Sequence, residues 1–219
     1  MIVGEQKPLE EIRALIEPYH RILILGCGTC TTICFAGGER EVSILASKLR
    51  LAERISGKSE RQFIEYTVRR QCEWEYLDEV ADKIKEVNAV LSLACGVGVQ
   101  AIAEHFPENS ALPGLNTMFM GMPVETGVQI EKCIGCGDCL LGRTAGVCPL
   151  TACPKGLVNG SCGGYHDGKC EVDPKRDCAW VQIYQRLKKM GRLDELYAPQ
   201  PLKDYSKMGH PRHITLKGV

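Results

Sequence analysis

The chain has 219 residues, 44% of them apolar, and its 27 basic and 27 acidic side chains cancel to a formal net charge of zero. This length and composition support one ordinary buried core with a smaller appendage. With no long block of like charge and few aromatics, they argue against a nucleic-acid binder or an electrostatic membrane anchor.

The N-terminal stretch "MIVGEQKPLEEIRALIEPY" carries acidic residues where a signal peptide needs an apolar core, and no apolar run is long enough to span a bilayer, so a cytoplasmic protein is expected. "RILILG" (21–26) reads as a buried strand that runs into a glycine turn containing Cys27. "GEREVSILASKLRLAERI" then places Val42, Leu45, Ala46, Leu49 and Ala52 at helical spacing. "QFIEYTVRRQC" is a second strand, ending near Cys72, and "LDEVADKIKEV" a single helix with Leu77, Val80, Ala81, Ile84 and Val87 on one face. "NAVLSLACGVG" repeats the strand-to-glycine-turn design, "VQAIAEHF" continues as a helix, and "LPGLNTMFMG" supplies a last strand. Strands alternating with helices indicate an α/β fold: an open parallel sheet flanked by helices, Rossmann-like, over residues 1–125.

After residue 125 the pattern changes. Beyond a short strand in "GVQIEK", residues 126–178 show no sustained apolar periodicity and are rich in glycine and cysteine. Such a segment needs metal sites to act as its core, and a small ferredoxin-like iron-sulfur region is expected. Residues 179–219 begin as a helix in "AWVQIYQRLKKMGRLDELY", with Val181, Tyr184, Leu187 and Lys188 at helical spacing and Gly191 as the stop. An extended arm follows that packs on a neighbour or frays.

Thirteen cysteines stand out against this background. Their odd number, their tight spacing and the cytoplasmic setting disfavour a disulfide framework, and thiolates at such intervals suit metal or iron-sulfur ligation. "CIGCGDC" places Cys133, Cys136 and Cys139 as C-x2-C-x2-C. Short spacers let one loop wrap three corners of a 4Fe-4S cubane, while Gly135 and Gly137 permit the needed dihedrals. "CPLTACP" adds Cys148 and Cys153, each followed by proline, although eight residues separate Cys139 from Cys148 where bacterial ferredoxins have three. With Cys162, Cys170 and Cys178 the C-terminal total is eight, enough for two four-ligand sites, whose pairing the sequence leaves open. One cluster plus one zinc is the rival assignment, in which His166 would replace a thiol; a solvated loop histidine is the plainer reading of that residue.

In the N-terminal part, "ILILGCG" and "VLSLACG" put Cys27 and Cys95 at equivalent places just past the carboxyl ends of two strands. In a parallel sheet those ends share one edge. Cys27, Cys30, Cys34, Cys72 and Cys95 therefore offer five thiols for one four-ligand site. A conventional nucleotide loop is the alternative, because Gly26-Cys27-Gly28 and "GVGVQA" both approach G-x-G-x-x-G/A after a strand. Against it, no acidic residue ends a following strand at the proper distance, and no Walker-type Gly-Lys-Ser/Thr occurs. The chain offers no catalytic residue set: H-E-x-x-H and G-x-S-x-G are absent, and His210 and His213 flank a proline in a solvated tail. Trp74 and Trp180, each two residues after a cysteine, read as packing residues or as shields for a cluster.

The succession "GCGTCTTICFAGG", "LSLACGVGVQ", "CIGCGDCLLGRTAGVCPLTACPKGLVNGSCGG" and "GKCEVDPKRDCAWVQIYQRLKKMGRL" resembles the MetV family, the iron-sulfur subunits of MetVF-type methylenetetrahydrofolate reductases, also known as a methylenetetrahydrofolate reductase C-terminal domain family. The resemblance implies two to three 4Fe-4S clusters on the thirteen cysteines, with zinc as an alternative at one site. It implies a MetF-type flavoprotein partner carrying FMN or FAD. It also implies electrons arriving from ferredoxin or a larger electron-donating complex, and a role in reducing 5,10-methylenetetrahydrofolate to 5-methyltetrahydrofolate in one-carbon metabolism, in acetogens within the Wood-Ljungdahl pathway. On that reading the chain relays electrons, binds no folate and turns nothing over alone. A zinc-stapled docking subunit without redox role is the alternative.

Overall fold

A computed structural model describes residues 1–57, 61–198 and 200–216. The chain divides into two compact units, Met1–Ile130 and Glu131–Val219.

The first unit is built on strand β2 (Arg21–Cys27), whose residues after Arg21 are all buried. β2 pairs in parallel with β3 (Gln62–Val68) on one side and β4 (Ala89–Leu93) on the other, and β4 pairs in parallel with β5 (Ser110–Pro113). The order β3-β2-β4-β5 is a doubly wound one, with its switch point between β2 and β4. Because side chains alternate across a strand, Ile22 and Ile24 enter one core and Leu23 and Leu25 the other.

The first core is closed by Ile12 and Ile16 of α1 (Leu9–Ile16) and by Val42, Leu45, Ala46 and Leu49 of α3 (Glu39–Ile55). Helix α3 takes its expected apolar stripe. It starts where the Gly38 N–H donates to the Glu41 carboxylate at 3.1 Å and stops before Gly57, at φ +67°. Near its end, Arg61 donates to Glu53 at 2.7 Å and to the carbonyls of Glu17 (2.7 Å) and Tyr19 (3.0 Å), tying α3 to the turn after α1.

The second core is closed by Leu77 of α4 (Trp74–Asp78), Ile84 of α5 (Ala81–Lys85) and Ala101 and Ile102 of α6 (Gly96–His105). Here the structure corrects the expected single helix over "LDEVADKIKEV". The chain breaks at Glu79 and Val80, where Val80 leaves helical geometry at φ −114°, ψ 3°. Val80 is fully buried all the same, so the apolar periodicity survives a break that it cannot reveal.

"LPGLNTMFMG" also divides. Its first residues belong to β5 and, after Gly114, the rest form β6 (Leu115–Glu125). β6 pairs antiparallel with an N-terminal strand, β1 (Ile2–Gln6), and neighbours β7 (Val128–Cys133), which leads the chain into the second unit.

In the second unit the described residues between Ile134 and Cys178 form one short helix, α7 (Pro149–Ala152), and two isolated bridges, His166 with Lys169 and Lys169 with Asp177. No ferredoxin-like fold is seen there; the glycine- and cysteine-rich run has too few contiguous apolar residues to build paired strands. The long helix α8 (Ala179–Lys189) buries Ala179, Ile183 and Leu187, while Tyr184 is exposed and Val181 only half-buried. Of the expected stripe only Leu187 is buried, and Ile183 takes the inward place expected of Tyr184. Gly191, at φ +66°, stops the helix as expected, and the Arg192 N–H returns to the Leu187 carbonyl at 2.9 Å. The core of this unit is small: Ala145, Val147, Ala179, Ile183 and Leu187.

A 3-10 turn, Leu193–Leu196, follows the helix stop, and the expected arm carries another, Tyr205–Met208, and buries Lys203; its Pro199 and residues 217–219 lie outside the described residues. No helix among the described residues is long and apolar enough to cross a membrane.

Replacing Ile24, fully buried on β2, by alanine should cost about 2–5 kcal/mol of stability, as large-to-small changes in tight cores do. Denaturant unfolding of the two proteins measures it.

Candidate functional site

At the carboxyl edge of the parallel sheet, β2 ends on Cys27, which is buried. The Cys27 N–H donates to the Gly37 carbonyl at 2.8 Å; its own carbonyl accepts from Thr32 Oγ1 at 2.8 Å and lies 3.3 Å from Thr31 Oγ1. Thr31 Oγ1 is also 3.0 Å from the Leu93 carbonyl at the end of β4, so one buried hydroxyl serves two strand ends. Cys30 opens the short helix α2 (Cys30–Ile33) and Cys95 caps α6 two residues past β4.

Cys72 lies four residues past β3. Its position depends on Gln71, which is fully buried: the amide nitrogen donates to the carbonyls of Leu25 (2.8 Å) and Gly26 (3.0 Å), and the amide oxygen accepts from Ser92 Oγ at 2.6 Å. Gln71 thereby fastens the loop after β3 to the ends of β2 and β4. Although Cys72 is exposed, partial desolvation raises its thiol above its ordinary range, and the nearby Cys27 and Cys95 thiols and the Glu73 carboxylate act in the same direction. The Cys34 thiol is directed elsewhere. It lies 3.2 Å from the Cys30 carbonyl and 3.6 Å from that of Ile2, packs against the core under α1 and α3, and is raised chiefly by burial.

The glycine turn is filled by the protein itself. A Cβ on Gly26 would lie 2.4 Å from Thr67 Oγ1, and one on Gly37 only 1.8 Å from the Leu93 carbonyl oxygen. At the second turn, the first amide of α6, that of Gly96, is spent on Thr117 Oγ1 at 2.8 Å. The close approach that a nucleotide loop reserves for phosphate is used here for the chain's own strand, helix and side chains.

In the second unit the loop from Cys133 to Cys139 turns through Gly135 and Gly137, both at positive φ (+63° and +77°). The Gly135 N–H donates to Cys133 Sγ at 3.3 Å, a bond that stabilises sulfur carrying negative charge. Cys136 Sγ lies 3.4 Å from the Asp138 carbonyl and 3.3 Å from Lys203 Nζ. Burial acts to raise the Cys136 thiol, but hydrogen bonding with the Asp138 backbone and the bond and charge of Lys203 outweigh it, so the thiol stands below its ordinary value. Cys148 caps α7, and Thr151 Oγ1 on that helix donates at 3.2 Å to the carbonyl of Lys132, the residue before Cys133. Cys148 is thus held beside the loop of three.

The other four cysteines of this unit, Cys153, Cys162, Cys170 and Cys178, line one cleft with Trp180. Cys162 donates to Glu171 Oε1 at 3.1 Å, and Lys155 also bonds that carboxylate; the Lys155 and Cys162 bonds hold Glu171 below the usual carboxylate range. His166 does not line the cleft: its ring is 92% exposed and 3.1 Å from Asp167, a solvated loop histidine. Trp180 joins the small core and donates from Nε1 to the Leu157 carbonyl at 2.8 Å, whereas Trp74 stacks on His105 near the surface. His210 and His213 are exposed. Among the described residues, no three His, Cys, Asp or Glu side chains converge closely enough to hold a single metal ion. Thiolates on a cubane bind separate iron corners and need no such convergence.

Residues 112–206 match the family described as methylene-tetrahydrofolate reductase C terminal. The matched segment holds all eight cysteines of the second unit together with α8 and Lys203, and over it the chain is similar to that family. Neither the curated proteins nor the solved structures contain a match to the chain.

Two positioning residues escaped sequence reading, Gln71 and Thr31. Gln71 belongs to no motif and Thr31 is a spacer between Cys30 and Cys34; their only signal is a polar residue adjoining a cysteine. Gln71→Leu should cost about 1–3 kcal/mol for each buried carbonyl left without a donor. It should also make Cys72 react faster with a thiol reagent under native conditions; denaturant unfolding and timed alkylation with peptide mapping check both.

Proposed function

We propose that the chain is an iron-sulfur electron-transfer subunit that relays electrons from an external donor, ferredoxin or a larger complex, to the flavin of a MetF-type partner. That partner would reduce 5,10-methylenetetrahydrofolate. The observation that carries the reading is the Cys133–Cys139 loop: three thiols on one glycine-turned loop, with a backbone N–H already donated to sulfur, inside the segment that matches the reductase family.

The donor sets fit the group. Cys133, Cys136, Cys139 and Cys148 would hold one 4Fe-4S cluster, and Cys153, Cys162, Cys170 and Cys178, which share a cleft, a second. Cys27, Cys72 and Cys95 with Cys30 would hold a third at the switch point of the sheet, leaving Cys34 in the core. A bound cluster supplies one-electron transfer, which a flavin can accumulate for a two-electron reduction. The chain's own residues do the rest. Gly135 donates a hydrogen bond to sulfur, Trp180 walls the shared cleft against solvent, and Gln71 and Thr31 fix the strand ends from which three thiols project.

Anaerobic purification with iron, zinc and sulfide analysis should find iron and acid-labile sulfide with broad visible absorbance, and a flavoprotein should co-purify. A colourless chain containing zinc alone would instead establish the zinc-stapled docking subunit. Cys136→Ser should abolish donor-linked flavin reduction while circular dichroism of the sheet-bearing unit stays unchanged; an unaltered rate would remove that loop from the electron path.

A further inference from the structure

Within the second unit, the chain after Gln200 returns to the Cys133–Cys139 loop and lies against it. Arg143 bonds the Gln200 side chain at 3.3 Å, the Asp204 N–H donates to Asp138 Oδ2 at 2.9 Å, and the Arg212 guanidinium donates to the Gly135 carbonyl. At Gly137 a Cβ would stand 2.8 Å from Lys207 Cβ and 3.1 Å from the Lys207 carbonyl oxygen. Only glycine therefore lets the segment close down there.

At the centre of this contact is Lys203, whose side chain is 1% exposed. Its ammonium lies 3.3 Å from Cys136 Sγ and donates to the Asp138 carbonyl at 2.5 Å, with the Tyr205 ring 5.7 Å away. The nearest carboxylate oxygen, Asp138 Oδ2, is 3.9 Å off and already accepts from Asp204. A buried ammonium is costly unless an anion faces it closely. The atom facing it here is a sulfur, and sulfur answers the charge when it is a thiolate bound to a metal cluster.

We propose that Lys203 is a positioning residue that raises the reduction potential of the cluster held by the Cys133 loop, and that residues 200–212 form the cover that keeps this lysine in place. The proposal rests on the cluster reading above. A thiolate-bound cluster is an anion that gains one further negative charge when an external one-electron donor reduces it. A fixed cation at sulfur stabilises the reduced form more than the oxidised one, and hydrogen bonds to sulfur act in the same direction. Lys203 supplies both the charge and the bond from a site sheltered from solvent screening.

The test is an EPR-monitored redox titration of the anaerobically reconstituted full chain, wild type beside Lys203→Gln and Lys203→Arg, with iron and sulfide measured on the same samples. The expected result is one midpoint shifted to lower potential in Lys203→Gln and returned toward wild type in Lys203→Arg, with the other midpoints unmoved. A Lys203→Gln protein with full iron content and the wild-type midpoint overturns the inference and leaves the cluster reading standing. A wild-type chain that takes up neither iron nor sulfide overturns both. Should Lys203→Gln lose its iron, retention in Lys203→Arg supports the role of the charge, and equal loss in both overturns it.

Discussion

Parallel strands that stop together present a row of carbonyls to one edge, and those carbonyls need donors if the edge is to be buried. In the first unit this need is met by side chains. Gln71 bonds the carbonyls of Leu25 and Gly26 and holds Ser92, while Thr31 reaches the carbonyls of both Cys27 and Leu93. The donors come from the loop after β3 and from α2, so satisfying the strand ends also sets where Cys72, Cys27 and Cys95 stand. Were the carbonyls left to water, the edge would open and the thiols would have no common frame.

The second unit meets its constraint differently. Five buried residues are a small core for a segment of this length, and its cysteine loops follow irregular paths fixed by backbone turns and single bonds. The Thr151 bond to Lys132 and the bridges around Lys169 each join short stretches of chain. Cross-linking by the clusters proposed above would add stability to such a segment without demanding apolar surface.

Much of the first unit was legible because both cores act on the same strand. "RILILG" is apolar at consecutive positions because β2 is covered on both faces, and the helix at Glu39–Ile55 shows its buried stripe directly. β1 was not legible: "IVGEQ" is too short to declare a period, and its partner β6 is more than a hundred residues away. The break at Val80 was hidden because a buried residue can keep helical spacing while the backbone turns. On α8 the periodicity located the helix but chose Tyr184 over Ile183, since an apolar scale counts an aromatic ring as inward-facing even where its position leaves it exposed. In the site, cysteine spacing identified every thiol but not which thiols meet. Grouping Cys153 with Cys162, Cys170 and Cys178, and turning Cys34 toward the core, required the fold. Lys203 carried no signal, because a lysine in a polar, proline-bearing arm reads as solvated until its burial is seen.

The segment that lies over the Cys133 loop comes late in the chain, Lys203 following Cys136 by 67 positions. Synthesis runs from the N-terminus at about 5–20 residues per second, so the loop leaves the ribosome on the order of several seconds before its cover. During that interval the loop stands without the segment that later lies against Cys136. Once residues 200–212 settle, Lys203 lies against Cys136 and Lys207 against Gly137, while Cys133 and Cys139 stay exposed. Chain order thus gives this contact a direction: the loop must take its glycine turns alone, and of its three thiols only Cys136 is later partly covered.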